Sequence, residues 1–348
     1  MTMPSNQAPI MDQNFSGQHW QQRNLEGQVF IRCDFSSVIL EECNLNRCVF
    51  VECNFSDGHF RNNSTEQASW LQCNAKASQW FGSVSTATFS DTDLSHSHWQ
   101  QCLLQASTLS QCDMGKAQWQ SCQLHTVNLA KLGCSGLSLN QCHLQNIVWS
   151  NSNFADMTLN QCQFNKALLL HCQFVGNDLS GYNLSQCTFN NSTFNDVVLR
   201  QANLQSSSMS QCTISRCDFG QAQLQQTLFM QSDIEACQFD GAQLQQSNFQ
   251  QAKLLKCSMK AANLEMAWMK QLAASQCEFQ EANLNYANAS YAQLHQCDFS
   301  RCRLQQSNFH AMVDDHNRWT GVDLSQRIDE DPQQSQQQQA LAEHEVQL

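Results

Sequence analysis

The chain is 348 residues long, carries a formal net charge of −12, and contains twenty cysteines but only three prolines. An acidic balance with no basic stripe argues against direct nucleic-acid binding, which rests on neutralising phosphates. The sequence has no apolar run of about 18 residues such as a membrane-crossing helix needs, and no lipidation motif or amphipathic basic helix. A chain this rich in Gln, Asn and Ser would be disordered if its apolar residues were scattered, but they are evenly spaced.

Residues 1–14 are polar and lack the apolar core of a signal peptide, so they read as a disordered start or an N-terminal cap on a cytoplasmic protein. From residue 15 a period of five begins. Large apolar residues, here called centres, fall at Phe30, Phe35, Leu40, Leu45, Phe50, Phe55 and Phe60. The phase slips by one residue between Trp80 and Phe89, resumes at Leu94, Trp99, Leu104 and Leu109, and runs on to Phe309. Thr65, Ala75, Cys134, Ala274 and Ala289 are the weak centres. Irregularity is therefore expected over 62–91, as a bulge, bend or loop, and more weakly over 271–275. Beyond Asp314 the phase fades through Trp319 and Leu324, and residues 327–348 form a Gln-rich acidic tail that reads as disordered.

A five-residue step rotates an α-helix by about 140°, so no buried stripe would form. The residue two before each centre is nearly always Cys, Ala, Ser or Val, and two residues apart on an extended segment means the same face. Each repeat thus turns one small and one large residue inward, holds a polar residue between them outward, and uses two residues to turn a corner. Cys33, Cys53 and Cys73 are twenty apart, as are Cys102, Cys122, Cys142 and Cys162, and Cys217, Cys237, Cys257, Cys277 and Cys297. Twenty residues are four repeats, which predicts a four-sided coil over 15–326, with successive coils stacked at about the 4.8 Å inter-strand spacing.

Ala202-Asn203-Leu204-Gln205-Ser206 and Ala282-Asn283-Leu284-Asn285-Tyr286 resemble the A(D/N)LXX motif of the pentapeptide-repeat family. The resemblance spans about 15–325 and implies an all-β fold, a right-handed quadrilateral β-helix. The chain departs from the family pattern in using Cys where Ala is usual. Some members serve bacterial secretion systems as accessory proteins or effectors, and others mimic duplex DNA and inhibit or protect DNA gyrase. The resemblance therefore implies a binding role without fixing the partner.

The chemistry points the same way. Cysteines five residues or multiples of five apart lack zinc-ligand spacing, and they read as small buried hydrophobes, free and slow to react. His96 and His98 are close in sequence but lack further ligands, so no metal or cofactor is expected. No nucleophile, phosphate-binding or zincin motif is present, and a smooth coil offers no cleft, so the chain is not expected to be an enzyme. The body, 15–309, nets only −5 from 21 acids and 16 bases, far below the charge density of duplex DNA. This ranks a protein-binding scaffold above a gyrase-directed DNA mimic. Outward apolar residues mark the candidate surface. Val148, Leu168, Leu228 and Trp268 precede centres at spacings of twenty, sixty and forty, which puts them on one column of one face, with Leu170 and Met230 one corner step away and Lys253, Lys256, Lys260 and Lys270 close to Trp268 in sequence. Such a stripe would hold a protein partner or a second copy in a homodimer, with Trp268 as anchor.

Overall fold

The computed structural model describes residues 8–330 and Ser335; the start of the N-terminal segment and most of the Gln-rich tail lie outside the described residues. The chain divides into two compact units, Met1–Asn177 and Asp178–Leu348. Both are four-sided parallel β-coils with a twenty-residue period, as the cysteine spacing predicts.

In the first unit, one side is a ladder of short strands from Ile10–Met11 and Val29–Ile31 to Leu168–Leu170, paired in parallel with Phe30 on Phe50 and Trp149 on Leu169. Another side runs from His19–Gln21 to Thr158–Asn160. The sides between them begin as single bridges such as Asn14 to Asp34 and Asn24 to Asn44. The first regular coil thus starts at Ile10, inside the segment read above as a cap. In the second unit one side carries strands, from Thr193–Asn195 to Val313–Asp315, and the other three are held by bridges, such as Asn203 to Gln223.

Centres stack ring on ring. Phe60 lies 3.9 Å from Trp80 at 3°, and Trp80 lies 4.8 Å from Trp99 at 7°. In the second unit Phe219 and Phe239 are 4.6 Å apart at 2°, and Phe229 and Phe249 are 4.8 Å apart at 8°. These spacings match the coil repeat, so every large ring fills the space above its equivalent. The weak centres Thr65, Ala75, Cys134, Ala274 and Ala289 are buried in the same columns.

The corners come in two kinds, where the sequence reading allowed one. At the first kind two residues turn, and the small inward residue donates its N–H back to the preceding centre, as Val38 does to Phe35 (3.1 Å) and Ala242 to Phe239 (3.0 Å). The residue before such a centre is typically Asn or Asp. Its side-chain oxygen accepts the N–H two residues on, as Asp34 does from Ser36 (2.9 Å) and Asn203 from Gln205 (3.0 Å). This Asx turn is the physical reason for the D/N of the motif. At the second kind a strand ends and one residue turns alone in the left-handed region, such as Arg32 at φ 50° or Lys256 at φ 53°.

The slipped phase is a register shift and leaves the coil intact. Gln79–Ser85 pairs with His98–Gln105, and Trp80 to Val84 spans four residues where other repeats span five. The shortened corner is Gly82, at φ +99°; a Cβ there would lie 2.8 Å from Asn62 Oδ1 and 3.1 Å from Asn62 Cα. Residues 271–275 show no such shift: Ala273–Ser275 pairs in register with the strands on both sides.

The C-terminal end of the second unit is finished with polar groups. Asp314, at a centre position, accepts from Trp319 Nε1 (3.0 Å) and Asn317 Nδ2 (2.7 Å). The Arg327 guanidinium covers the rings of Trp319 and Phe309 at 5.2 and 5.5 Å, after a 3₁₀ turn at Leu324–Gln326 that Asp323 caps.

Candidate interaction surface

All twenty cysteines are buried and none is in a disulfide. Most follow a one-residue corner, where no turn bond consumes the small residue's N–H. At several of these corners the side chain one coil on accepts that N–H and itself donates to a carbonyl. Asn63 accepts from Cys43 N (2.9 Å) and donates to Leu40 O (2.8 Å). Asn317 does the same for Cys297 N (2.7 Å) and Leu294 O (2.8 Å). Cys237 Sγ receives Cys217 N (3.3 Å) and donates to Ile214 O (3.6 Å). Cysteine thus fits these positions as a small side chain that can accept and donate in one place. Burial raises these thiols from the ordinary 9.0: Cys112 and Cys172 to about 11, Cys48, Cys212 and Cys302 to about 12. At neutral pH these five are protonated and shielded, which makes them poor nucleophiles and poor metal ligands. Among the described residues no group of three or more His, Cys, Asp or Glu is arranged to hold a metal. His96 and His98 are both exposed.

Outside, the polar residues form ladders along the corners. Gln211, Gln231, Gln251 and Gln271 hydrogen-bond in series at 2.9–3.0 Å, each to its neighbour one coil on. Charges pair by the same rule: Arg32 with Asp12 (2.8 Å), Arg216 with Asp196 (2.7 Å), Lys253 with Asp233 (3.1 Å) and Arg301 with Glu281 (2.6 Å). Arg32 beside Asp12 and Arg216 beside Asp196 hold those carboxyls below the usual range.

The six stripe residues fall into two groups, one in each unit. In the first unit Val148 pairs with Leu168, and Leu170 with Ser150, on one strand ladder. Leu170 therefore shares the strand of Leu168, and no corner separates them. Leu168 is exposed, while Val148 and Leu170 are half-buried. In the second unit Leu228 bridges Asn248, which bridges Trp268, so the two apolar residues share a column two coils apart. Met230 is half-buried at the corner beyond the adjoining centre, Phe229. Trp268 is 53% exposed, far more than any ring at a centre.

Two residues that sequence reading missed complete this second group. Met266 and Tyr286 are exposed at the preceding corner, one coil apart, and with Trp268, Asn288, Gln226 and Gln246 they line a shallow depression. The glutamine ladder of that corner bonds from Gln226 to Gln246 (3.0 Å) and then meets the Met266 sulfur (3.9 Å). The signal was available in sequence: Met266 and Tyr286 interrupt a column otherwise filled by Ser206, Gln226, Gln246 and Gln306. Lys270, two residues after Trp268, lies over the Tyr291 ring at 5.5 Å. Lys253 and Lys260 are engaged elsewhere, with Asp233 and Glu278. Among the described residues no helix is long and apolar enough to cross a membrane.

A family model described as a pentapeptide repeat region matches residues 232–309, and a model of pentapeptide repeats in eight copies matches 14–47, 29–62 and 192–231. No curated protein sequence matches the chain. Among solved structures it is similar to HetL, a pentapeptide repeat protein involved in heterocyst differentiation regulation from the cyanobacterium Nostoc. That match has 16% identity and a TM-score of 0.27, covering 71% of this chain and 89% of that one. It is also similar to trypsin-treated QnrB1, a plasmid-mediated fluoroquinolone resistance protein, at 18% identity and a TM-score of 0.24, covering 49% and 96%. A third likeness is Rfr23 from the cyanobacterium Cyanothece, at 14% identity and a TM-score of 0.16, covering 47% and 91%.

Proposed function

The chain belongs to the pentapeptide-repeat family, and from that premise we propose that it is a non-enzymatic scaffold that holds a protein partner against the Trp268 patch of its second unit. The observation that carries this reading is the exposure of Trp268 beside Met266 and Tyr286, on a surface otherwise laddered with amides. Aromatic and Met anchors ringed by neutral hydrogen-bonding groups are what protein interfaces select. The coil is well suited to present them, because each outward side chain is fixed by the backbone columns above and below.

A duplex-DNA mimic would need columns of like charge, whereas Asp12, Asp196, Asp233 and Glu281 each face a base one coil on. Cytoplasmic residence belongs to the same proposal, since a reducing compartment preserves twenty free thiols.

The test is affinity capture from native lysate with the wild-type chain and with Trp268→Ser as bait, alongside a gyrase supercoiling assay with the purified protein. A protein recovered by wild type and lost with the variant supports the scaffold and its site. A partner equally retained by the variant removes Trp268 from the interface. Inhibition or protection of gyrase by both chains would replace the scaffold reading with DNA mimicry.

A further inference from the structure

In the second unit the exposed apolar residues are not spread around the coil. Leu228, Met266, Trp268 and Tyr286 lie on one bridged side or at the corner before it, and Leu255 and Val313 lie on the strand side that follows in the chain. Over the same coils the other two sides present polar columns throughout, from Asp218 to Arg318 and from Asn203 to Arg303. Single exposed apolar residues are ordinary, but their confinement to two adjoining sides marks a surface built to be covered.

Hollows join the two sides. On the strand side Ala273 stands in register between Lys253 and Gln293, and its short side chain leaves a notch between them, lined also by Leu255 and Val313. Gln293 and Val313 also line a second hollow, which reaches the corner at Gln271 and Tyr291. Gln271 is three residues past Trp268, so the Trp268 depression, the corner hollow and the notch follow one another around the same coils. Five residues separate Trp268 from Ala273, at most about 18 Å of chain, and about six extended residues reach from one to the other. The charge left open along this path is positive. Lys253 and Lys260 are paired with Asp233 and Glu278, whereas among the described residues neither Lys256 nor Lys270, at the two corners of the strand side, is in an ion pair. Asp315, the acid that lines the notch, is held by His295 and His316. Glu265 lies at the corner before Trp268, away from the strand side.

We propose that these hollows form one groove over two sides of the second unit, and that it takes an extended acidic segment of a partner protein. One large apolar side chain of that segment sits against Trp268, a second fills the notch at Ala273, and its carboxylates face Lys256 and Lys270. The proposal rests on the Trp268 patch being the binding site, and it adds the form and charge of what binds there. Neither hollow is deep, but two anchors on one short segment bind as linked contacts, which raises affinity without a deep pocket.

The test uses the full chain, with a displayed library of random linear peptides as probe. Recovered peptides should carry two large apolar residues about four to six positions apart, with Asp or Glu beside them. By fluorescence anisotropy their affinity should fall about tenfold or more with Trp268→Ser and, separately, with Ala273→Gln, and it should weaken as salt is raised. Ala273→Gln fills the notch with the side chain that Gln293 already places one coil on, so the circular dichroism spectrum and thermal midpoint should be unchanged. Peptides that bind Ala273→Gln as tightly as the parent overturn the proposal and leave Trp268 as a single anchor. A library that yields no peptide also overturns it, even where lysate capture shows a partner lost with Trp268→Ser. Self-association of the chain that Ala273→Gln weakens in sedimentation overturns it in favour of a second copy. If the peptides bind as expected but no lysate partner is lost with Trp268→Ser, the groove stands and the scaffold reading fails.

Discussion

At the scale of single residues, the cysteines show how one side chain serves packing and hydrogen bonding together. The one-residue corner leaves an inward N–H that Cys, Ser or Asn one coil on can satisfy; Ser107 does this for Ala87 N (3.1 Å) while donating to Val84 O (2.9 Å). Such a bond spares a buried N–H a cost of about 1–3 kcal/mol, although Val127, Ile147 and Ala167 show that the position also accepts apolar side chains. The same burial ties stability to alkaline pH. Cys112 and Cys172 keep their protons in the folded chain to about pH 11, and Cys48, Cys212 and Cys302 to about pH 12, against an ordinary value of 9.0. Below pH 9 both states are protonated and the contribution of these thiols is complete. Between 9 and 12 only the unfolded chain deprotonates, so the folded state loses up to about 1.4 kcal/mol per pH unit for each such thiol. The urea midpoint should therefore hold from neutral pH to about pH 9 and fall steeply between about pH 9 and pH 11, a window set by the thiol pKa values. A midpoint unchanged over that range would contradict the raised thiol values.

At the scale of the repeat, the corner decides which substitutions the coil accepts. Gly17, at φ +65°, has nothing within 4 Å of a Cβ, and dozens of corners like it carry Gln, Asp or Lys. Gly17→Ala should cost no more than the about 1 kcal/mol of ordinary left-handed strain. Gly82 differs on both counts, with φ +99° and a Cβ that would strike the Asn62 backbone. Gly82→Ala should destabilise the first unit by about 2 kcal/mol or more, through strain and clash together. Paired chemical denaturation of the two variants checks this, and equal losses would show that Gly82 is an ordinary corner. The contrast also shows where sequence reading stops. The centres, the four sides and the shifted phase were legible because ring size and period survive in the letters. The two kinds of corner were not, because Arg32 turning alone and Ser36-Ser37 turning together look alike as polar pairs. Met266 and Tyr286 were missed for a related reason: corner residues were treated as solvent-facing connectors, although stacked corners form columns as regular as the strands.

At the scale of a whole unit, a coil stack is held by nearest neighbours, so damage at one end should stay near that end. The second unit closes its C-terminal end with Arg327 spread over Trp319 and Phe309, donating to Asp329 (3.1 Å), and with Asp314 receiving the Trp319 N–H. Arg327→Ala removes the cover from both rings, a loss of side-chain packing as much as of charge. The expected result is fraying of the last coil, seen as faster amide hydrogen exchange at Val313–Asp315 and at Arg318. Thr193–Asn195 and Thr213–Ser215 lie four or more coils further in, and their protection should stay unchanged. Because Trp268 sits three bridges below Ile328 in its column, this variant also separates two kinds of dependence. If the patch draws only on its own neighbouring coils, partner capture should survive Arg327→Ala. If it depends on the closed end of the stack, capture should weaken along with the protection of the last coil. Uniform loss of protection across the unit would instead mean that its coils unfold as one cooperative block, and the nearest-neighbour description of the stack would have to be abandoned.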